Sequence, residues 1–173
     1  MWLLTREEEK AHMEAAINSF EETCGKRPLG WYCCYGPSVH TRELVVEEGG
    51  FVYDADAYND DLPYYVEVKG TRHLIVPYTL NYDDAAFVVP QGYGSPGDFY
   101  DLCKRGFDHL WDEGATHPRM MSIGLHPRLI GQADRISALA DFIDYAQAKG
   151  GFWFATRLEI ASWWNDHHAE FGT

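Results

Sequence analysis

The sequence predicts an α/β fold with largely parallel strands, and three observations carry that prediction. Three helix-start boxes, Thr5-x-x-Glu8, Ser95-x-x-Asp98 and Thr156-x-x-Glu159, punctuate the 173 residues. Apolar runs of strand length alternate with stretches of helical spacing. Nothing repeats internally and no Pro/Gly-rich linker divides the chain, so 1–173 reads as a single domain.

Taken in order, Thr5 opens a helix whose apolar positions Met13, Ala16, Ile17, Phe20 and Cys24 recur at helical spacing until Gly25. Residues 29–32 and 51–53 read as strands. Residues 64–68 and 74–78 flank Lys69-Gly70-Thr71 and read as a hairpin. Pro96 suits the first position of a helix buried through Phe99, Leu102, Cys103, Phe107, Leu110 and Trp111. A strand over 120–125 precedes a helix marked by Ile136, Leu139, Ala140, Ile143 and Ala146, which stops at Gly150-Gly151. A strand over 152–155 and a helix from Arg157 to about His168 complete the chain. That makes about four strand–helix units after an opening helix, whereas a closed α/β barrel takes eight units and ~250 residues. The residues alone leave two architectures open: a small open sheet, or the later portion of a barrel.

Composition narrows the function. With 46% hydrophobic residues, the chain can bury a core. Lys+Arg 14 against Asp+Glu 27 gives a net charge of −13, which repels phosphate backbones and anionic lipid, so neither nucleic acid nor membrane is an expected partner. No apolar run reaches the roughly 18 residues of a spanning helix. Met1-Trp2-Leu3-Leu4 runs at once into Thr5-Arg6 and three glutamates, unlike an export signal. Cys24, Cys33, Cys34 and Cys103 do not make a disulfide framework, and reduced thiols in the cytoplasm are expected.

Candidate chemistry begins with Ser122-Ile123-Gly124-Leu125-His126-Pro127, which places His126 where a buried strand ends, the end at which α/β folds gather catalytic groups. An imidazole as such can give or take a proton; the plainer alternative is a loop histidine bonded to backbone. Arg27 leads into the first strand, where a guanidinium can hold a carboxylate or a developing oxyanion, or simply lie on the surface. Asp54, Asp56, Asp60, Asp61, Asp83 and Asp84 form an acidic, tyrosine-rich middle section. Most are expected to be solvated loop acids or caps, with Asp60-Asp61 kept because a strand follows. No P-loop, GxGxxG, HExxH or paired CxxC occurs, His167-His168 are a poor chelate, and Ser95 is a cap.

Four segments, RPLGWY (27–32), YDADAYNDDLPYY (53–65), VPYTLNYDD (76–84) and SIGLHPRLIGQADR (122–135), resemble the polysaccharide deacetylase superfamily, most closely its allantoinase-like, urate-catabolism branch. The resemblance implies a distorted (β/α) barrel, here lacking its first strands, and hydrolysis of carbon–nitrogen bonds other than peptide bonds. It implies that Arg27 braces an active-site carboxylate and that His126 donates a proton to the leaving group. Asp60, Asp61, Tyr64 and Trp31 would line the substrate pocket. It implies no cofactor: the early acidic motif and the paired-histidine metal motif of the deacetylases have no counterpart here. Cys33-Cys34-Tyr35 replaces the polar pair expected after GWY. The expected activity is opening of a cyclic ureide or removal of an acetyl group from a small-molecule amide, with a missing segment supplying the base. The rival expectation is a non-catalytic interaction module, a half-barrel that dimerises or docks a complementary segment.

Overall fold

Thr5 opens the first helix as its spacing predicts. In the computed structural model, which describes residues 3–33 and 36–171, the Thr5 hydroxyl accepts from Glu8 N at 3.3 Å and the Glu8 carboxylate accepts from Thr5 N at 2.8 Å. Helix α1 (Arg6–Cys24) ends where Gly25 takes the left-handed conformation, φ 68°. The chain divides into two compact units, Met1–Pro77 with Ala155–Thr173, and Tyr78–Phe154.

In the first unit α1 packs Met13 and Ile17 on Leu44 and Val45 of α2 (Thr41–Glu48), with Phe51 and the flank of Trp31 closing the cluster. Burying side chains of this size stabilises the unit by about 1.5–3 kcal/mol each. The sheet holds β1 (Gly30–Trp31), β2 (Tyr53–Asp54), β3 (Tyr64–Val68) and β4 (Thr71–Ile75) in the order β1-β2-β4-β3. β1–β2 and β2–β4 are parallel, and β3–β4 is the predicted hairpin. Its two-residue turn, Lys69 at φ 50° and Gly70 at φ 80°, has the positive φ pair that matches strand twist. Helix α6 (Arg157–His167) is fastened by Arg157, which donates to the carbonyls of Val76 and Pro77 at 2.7 and 2.9 Å.

In the second unit, a short 3-10 helix over Asp84–Val88 precedes α3 (Pro96–Glu113), α4 (Pro127–Ile130) and α5 (Ile136–Lys149). The predicted stripe of α3 supplies Phe99, Cys103 and Phe107, which bury against Ile130, Ala138, Phe142 and Ala146. Outside that core, Asp108 accepts from Lys104 (2.7 Å), Lys149 (2.6 Å) and Tyr145 (2.6 Å), tying α3 to α5.

The α/β class holds, with an open four-stranded sheet that does not close into a barrel. Several elements differ from their predicted bounds, β1 and β2 among them, which run over 30–31 and 53–54 rather than 29–32 and 51–53. Residues 120–125 form one isolated parallel bridge, Asp83 with Gly124, and no strand. Residues 152–155 form no strand either, and Phe152, Trp153 and Phe154 are exposed. β4 starts at Thr71, because the turn takes two residues and not three. Among the described residues no helix is long and apolar enough to cross a membrane.

Cys34 and Tyr35 lie outside the described residues, as do Met1 and Trp2. Cys24 is an exposed free thiol and Cys103 a buried one, and burial pushes the Cys103 thiol up to about 12. Since the thiolate is the reacting species, iodoacetamide at pH 8 should alkylate Cys24 and spare Cys103 in the folded chain. Peptide mass spectrometry reads both sites, and equal labelling would contradict the packing described.

Candidate functional site

In the second unit three ligand-type side chains meet. Asp84 is fully buried at the start of the 3-10 helix, and His126 is the residue before α4. Asp84 Oδ1 stands 2.6 Å from His126 Nδ1, and Asp84 Oδ2 accepts from the backbone N–H of His126 (2.7 Å) and of Ile130 (3.1 Å). One carboxylate thus sets the imidazole and closes the turn that carries it. With Nδ1–H donating to Asp84, Nε2 is the ring atom left for chemistry. Beside them, Asp83 accepts from Ala85 N at 2.7 Å through Oδ1 and from the Tyr78 hydroxyl at 3.2 Å through Oδ2. Backbone pairing brings the strips together: Asp84 N donates to Gly124 O (3.0 Å) and Gly124 N to Tyr82 O (2.9 Å).

The ligand atoms of Asp83, Asp84 and His126 lie within 4.8 Å of one another, close enough to ask whether they suit the metal ion of the deacetylases. They do not fit one as arranged. A shared ion needs each donor's lone pair, at about 2.0–2.2 Å from the metal. Here Nδ1 is in hydrogen-bond contact with Asp84 and Asp84 Oδ2 is spent on two amides, so neither atom has a lone pair to spare, although each Asp83 oxygen, with one donor, keeps one. The arrangement is that of a carboxylate-held imidazole.

The first unit has a polar network of its own at the carboxyl ends of its parallel strands. Buried Asp54 ends β2 and takes Arg42 of α2 through Nε (2.9 Å) and Nη2 (3.2 Å). Burial pushes the Asp54 carboxyl up, and the contacts with His73 and Arg42 outweigh it, so it stays below the usual carboxylate range. Two residues on, half-buried Asp56 accepts the Cys33 N–H at 2.9 and 3.0 Å. At the start of α2, buried Glu9 takes the hydroxyls of Ser38 and Thr41.

The predicted residues are distributed as follows. His126 falls in the second unit, and Arg27, Trp31, Asp60, Asp61 and Tyr64 in the first. Arg27 precedes β1, at the amino end of the sheet. It pairs with Glu48 (2.7 Å), and its guanidinium lies 5.5 Å from the centre of the Phe51 ring. Trp31 packs edge-on against the same Phe51. Asp60 is exposed and turns the chain, accepting from Asp61 N (2.7 Å) and Leu62 N (3.1 Å), as Asx turns do. Asp61 is exposed, and Tyr64 donates to Asn59 Oδ1 at 2.8 Å. Of the six aspartates expected mostly as solvated loop acids or caps, Asp60 and Asp61 are exposed and Asp83 caps the 3-10 helix, while Asp54 and Asp84 depart from the expectation, buried among hydrogen-bond donors. Arg42 and His73 escaped the sequence reading because neither belongs to a spaced motif. Asp84 was visible only as an acid in a run of acids.

No family model matches the chain. Known proteins nonetheless resemble it over nearly its whole length. It is 35% identical to a putative polysaccharide deacetylase of Schizosaccharomyces pombe, over 94% of this chain and 56% of that protein. The crystal structure of a probable polysaccharide deacetylase from Pseudomonas aeruginosa PAO1 superposes with a TM-score of 0.91 at 45% identity, covering 96% of this chain and 56% of the other. That of the Puue allantoinase gives 0.90 at 46%, covering 95% and 55%. The chain therefore spans about half the length of the relatives it matches.

Gly124 is the pivot of the second unit's site, since a Cβ there would run into Asp83 Oδ2 and come within 2.6 Å of the Tyr78 hydroxyl. Gly124→Ala should cost about 1–3 kcal/mol of stability, the usual penalty of overpacking. Urea unfolding measures it, and an unchanged midpoint would show that the Asp83–Tyr78 contact yields freely.

Proposed function

For this relative of the polysaccharide deacetylases and of an allantoinase, we propose a hydrolase acting on carbon–nitrogen bonds other than peptide bonds, with a small amide or ureide as substrate. The observation that carries the reading is the 2.6 Å contact between His126 Nδ1 and the buried Asp84 carboxylate. Hydrolysis of an amide stalls at the tetrahedral stage unless the leaving nitrogen gains a proton. His126, in its imidazolium form, supplies that proton from Nε2, while Asp84 holds Nδ1–H and steadies the positive ring. His126 is the catalytic residue of this reading and Asp84 a positioning residue. Residue-by-residue resemblance alone supports Arg27 as the guanidinium that braces negative charge, and Trp31, Asp60, Asp61 and Tyr64 as substrate contacts. The base that activates water is assigned to none of these. The same likeness, with the chain's strong net negative charge, favours a cytoplasmic enzyme over a partner of nucleic acid or membrane.

A second reading, a non-catalytic module that pairs with another copy or a complementary segment, is favoured by one feature. β1 has a strand partner on one side only among the described residues, and an unpaired edge invites another strand.

Assays of allantoin opening and of acetate release from N-acetylated sugars separate the two. Under the first reading the chain turns over one substrate class, and His126→Ala lowers kcat by roughly 100-fold or more with an unchanged circular dichroism spectrum. Asp84→Asn lowers it too, by loosening the ring. Turnover indifferent to His126→Ala would end the assigned role. A chain inactive on both classes that elutes as a dimer by light scattering would favour the module.

A further inference from the structure

We propose that Asp56 is a proton-exchanging carboxyl group, the centre of a second acid–base site that the first unit carries at the carboxyl ends of its parallel strands. The inference is independent of the role given to His126.

Three observations converge. The first is position: Asp56 follows β2 directly and Cys33 follows β1, so the carboxylate bridges the ends of two adjacent parallel strands, where α/β folds place working groups. The second is an unequal division of partners. Asp54 takes Nε and Nη2 of Arg42 and the Asp56 N–H, whereas among the described residues the two oxygens of Asp56 share a single donor, the Cys33 N–H. Arg42 Nη2 donates to the Asp56 carbonyl at 2.9 Å and not to its carboxylate. Among the described residues, Asp56 is thus a half-buried carboxylate with no cation hydrogen-bonded to it. The third is His73, 6% exposed, whose Nε2 has no aligned hydrogen-bond partner and points at Asp54 Oδ2 from 3.2 Å. A buried, under-satisfied imidazole beside a buried carboxylate is unusual in a purely structural network.

The groups facing Asp56 come from every neighbouring element: Glu9 of α1, the Cys33 amide, Arg42 of α2, Asp54 of β2 and, behind Asp54, His73 of β4. Burial raises the Asp56 carboxyl first, and the charges of Asp54 and Glu9 add to it against the Cys33 amide and Arg42, bringing it to about 6. The exchange is a bare proton: the carboxylate takes H⁺ from water or a bound O–H or N–H and returns it, with no redox partner. A carboxyl so poised half-titrates near pH 6 and can both accept and donate a proton there.

Carboxyl-carbon NMR of the whole chain from pH 3 to 8, with the Cys33 amide as a second reporter, tests this. We expect the Asp56 midpoint near pH 6. Asp54→Asn and Glu9→Gln should each move it down by removing a like charge, and Asp56→Asn should abolish the pH response of the Cys33 amide. Glu9→Gln keeps the Arg42–Asp54 pair, so it decides the matter should Asp54→Asn fail to fold. A midpoint below pH 5, or one indifferent to Glu9→Gln in a folded chain, would overturn the proposal.

Discussion

A carboxylate shut away from water must find donors for its lone pairs, and Asp84 meets that demand by bending the chain around itself. Its burial costs several kcal/mol unless compensated, and the compensation comes from three donors within five residues of one another: the ring and amide of His126 and the amide of Ile130. The turn into α4, the orientation of the imidazole and the seating of Ile130 in the helical core therefore share one cause. Proline at position 127 helps, since it fixes φ at the first helical residue and has no amide of its own to satisfy. Remove the negative charge and the ring loses its orienting partner, whatever the ring then does.

Much of the fold was legible because local chemistry and global structure agree. The three capping boxes open α1, α3 and α6 where the spacing of hydroxyl and acid said they would. The hairpin followed from two β-rich runs about a lysine–glycine pair. What escaped was decided by long-range pairing. Residues 120–125 carry a strand-like composition, yet a strand needs a ladder, and among the described residues they contribute a single bridge through Gly124. The aromatic run at 152–155 reads as a buried strand for the same reason, but its side chains face water. Helix α2 is short and its apolar signal is one unbroken run, Leu44, Val45 and Val46, in which no helical period can register.

The candidate site was legible at His126, whose place before a proline after an apolar run is visible in one dimension. Its partner was not, because Asp84 lies 42 positions away and nothing in the local sequence separates it from the solvated acids nearby. Asp60 and Asp61 precede a strand, and Asp60 also shapes the turn before it, which their place in the sequence does not reveal. Burial, which distinguishes a working carboxylate from a surface one, is a property of tertiary structure. The likeness to deacetylases and an allantoinase suggests the class of chemistry proposed; the hydrogen bonds show which side chains are held in place.

The guanidinium of Arg27 fills the volume that a Cβ on Gly50 would need, while the Gly50 amide shares Glu48 with it. Positions 27, 48 and 50 are thus bound by excluded volume as well as charge. Over evolutionary time they should drift as a block: a larger residue at 50 must either swing the Arg27 guanidinium away from Glu48 or meet a shorter residue at 27. A saturation mutagenesis map would register that dependence as strong epistasis among three sites that look unrelated on the linear chain.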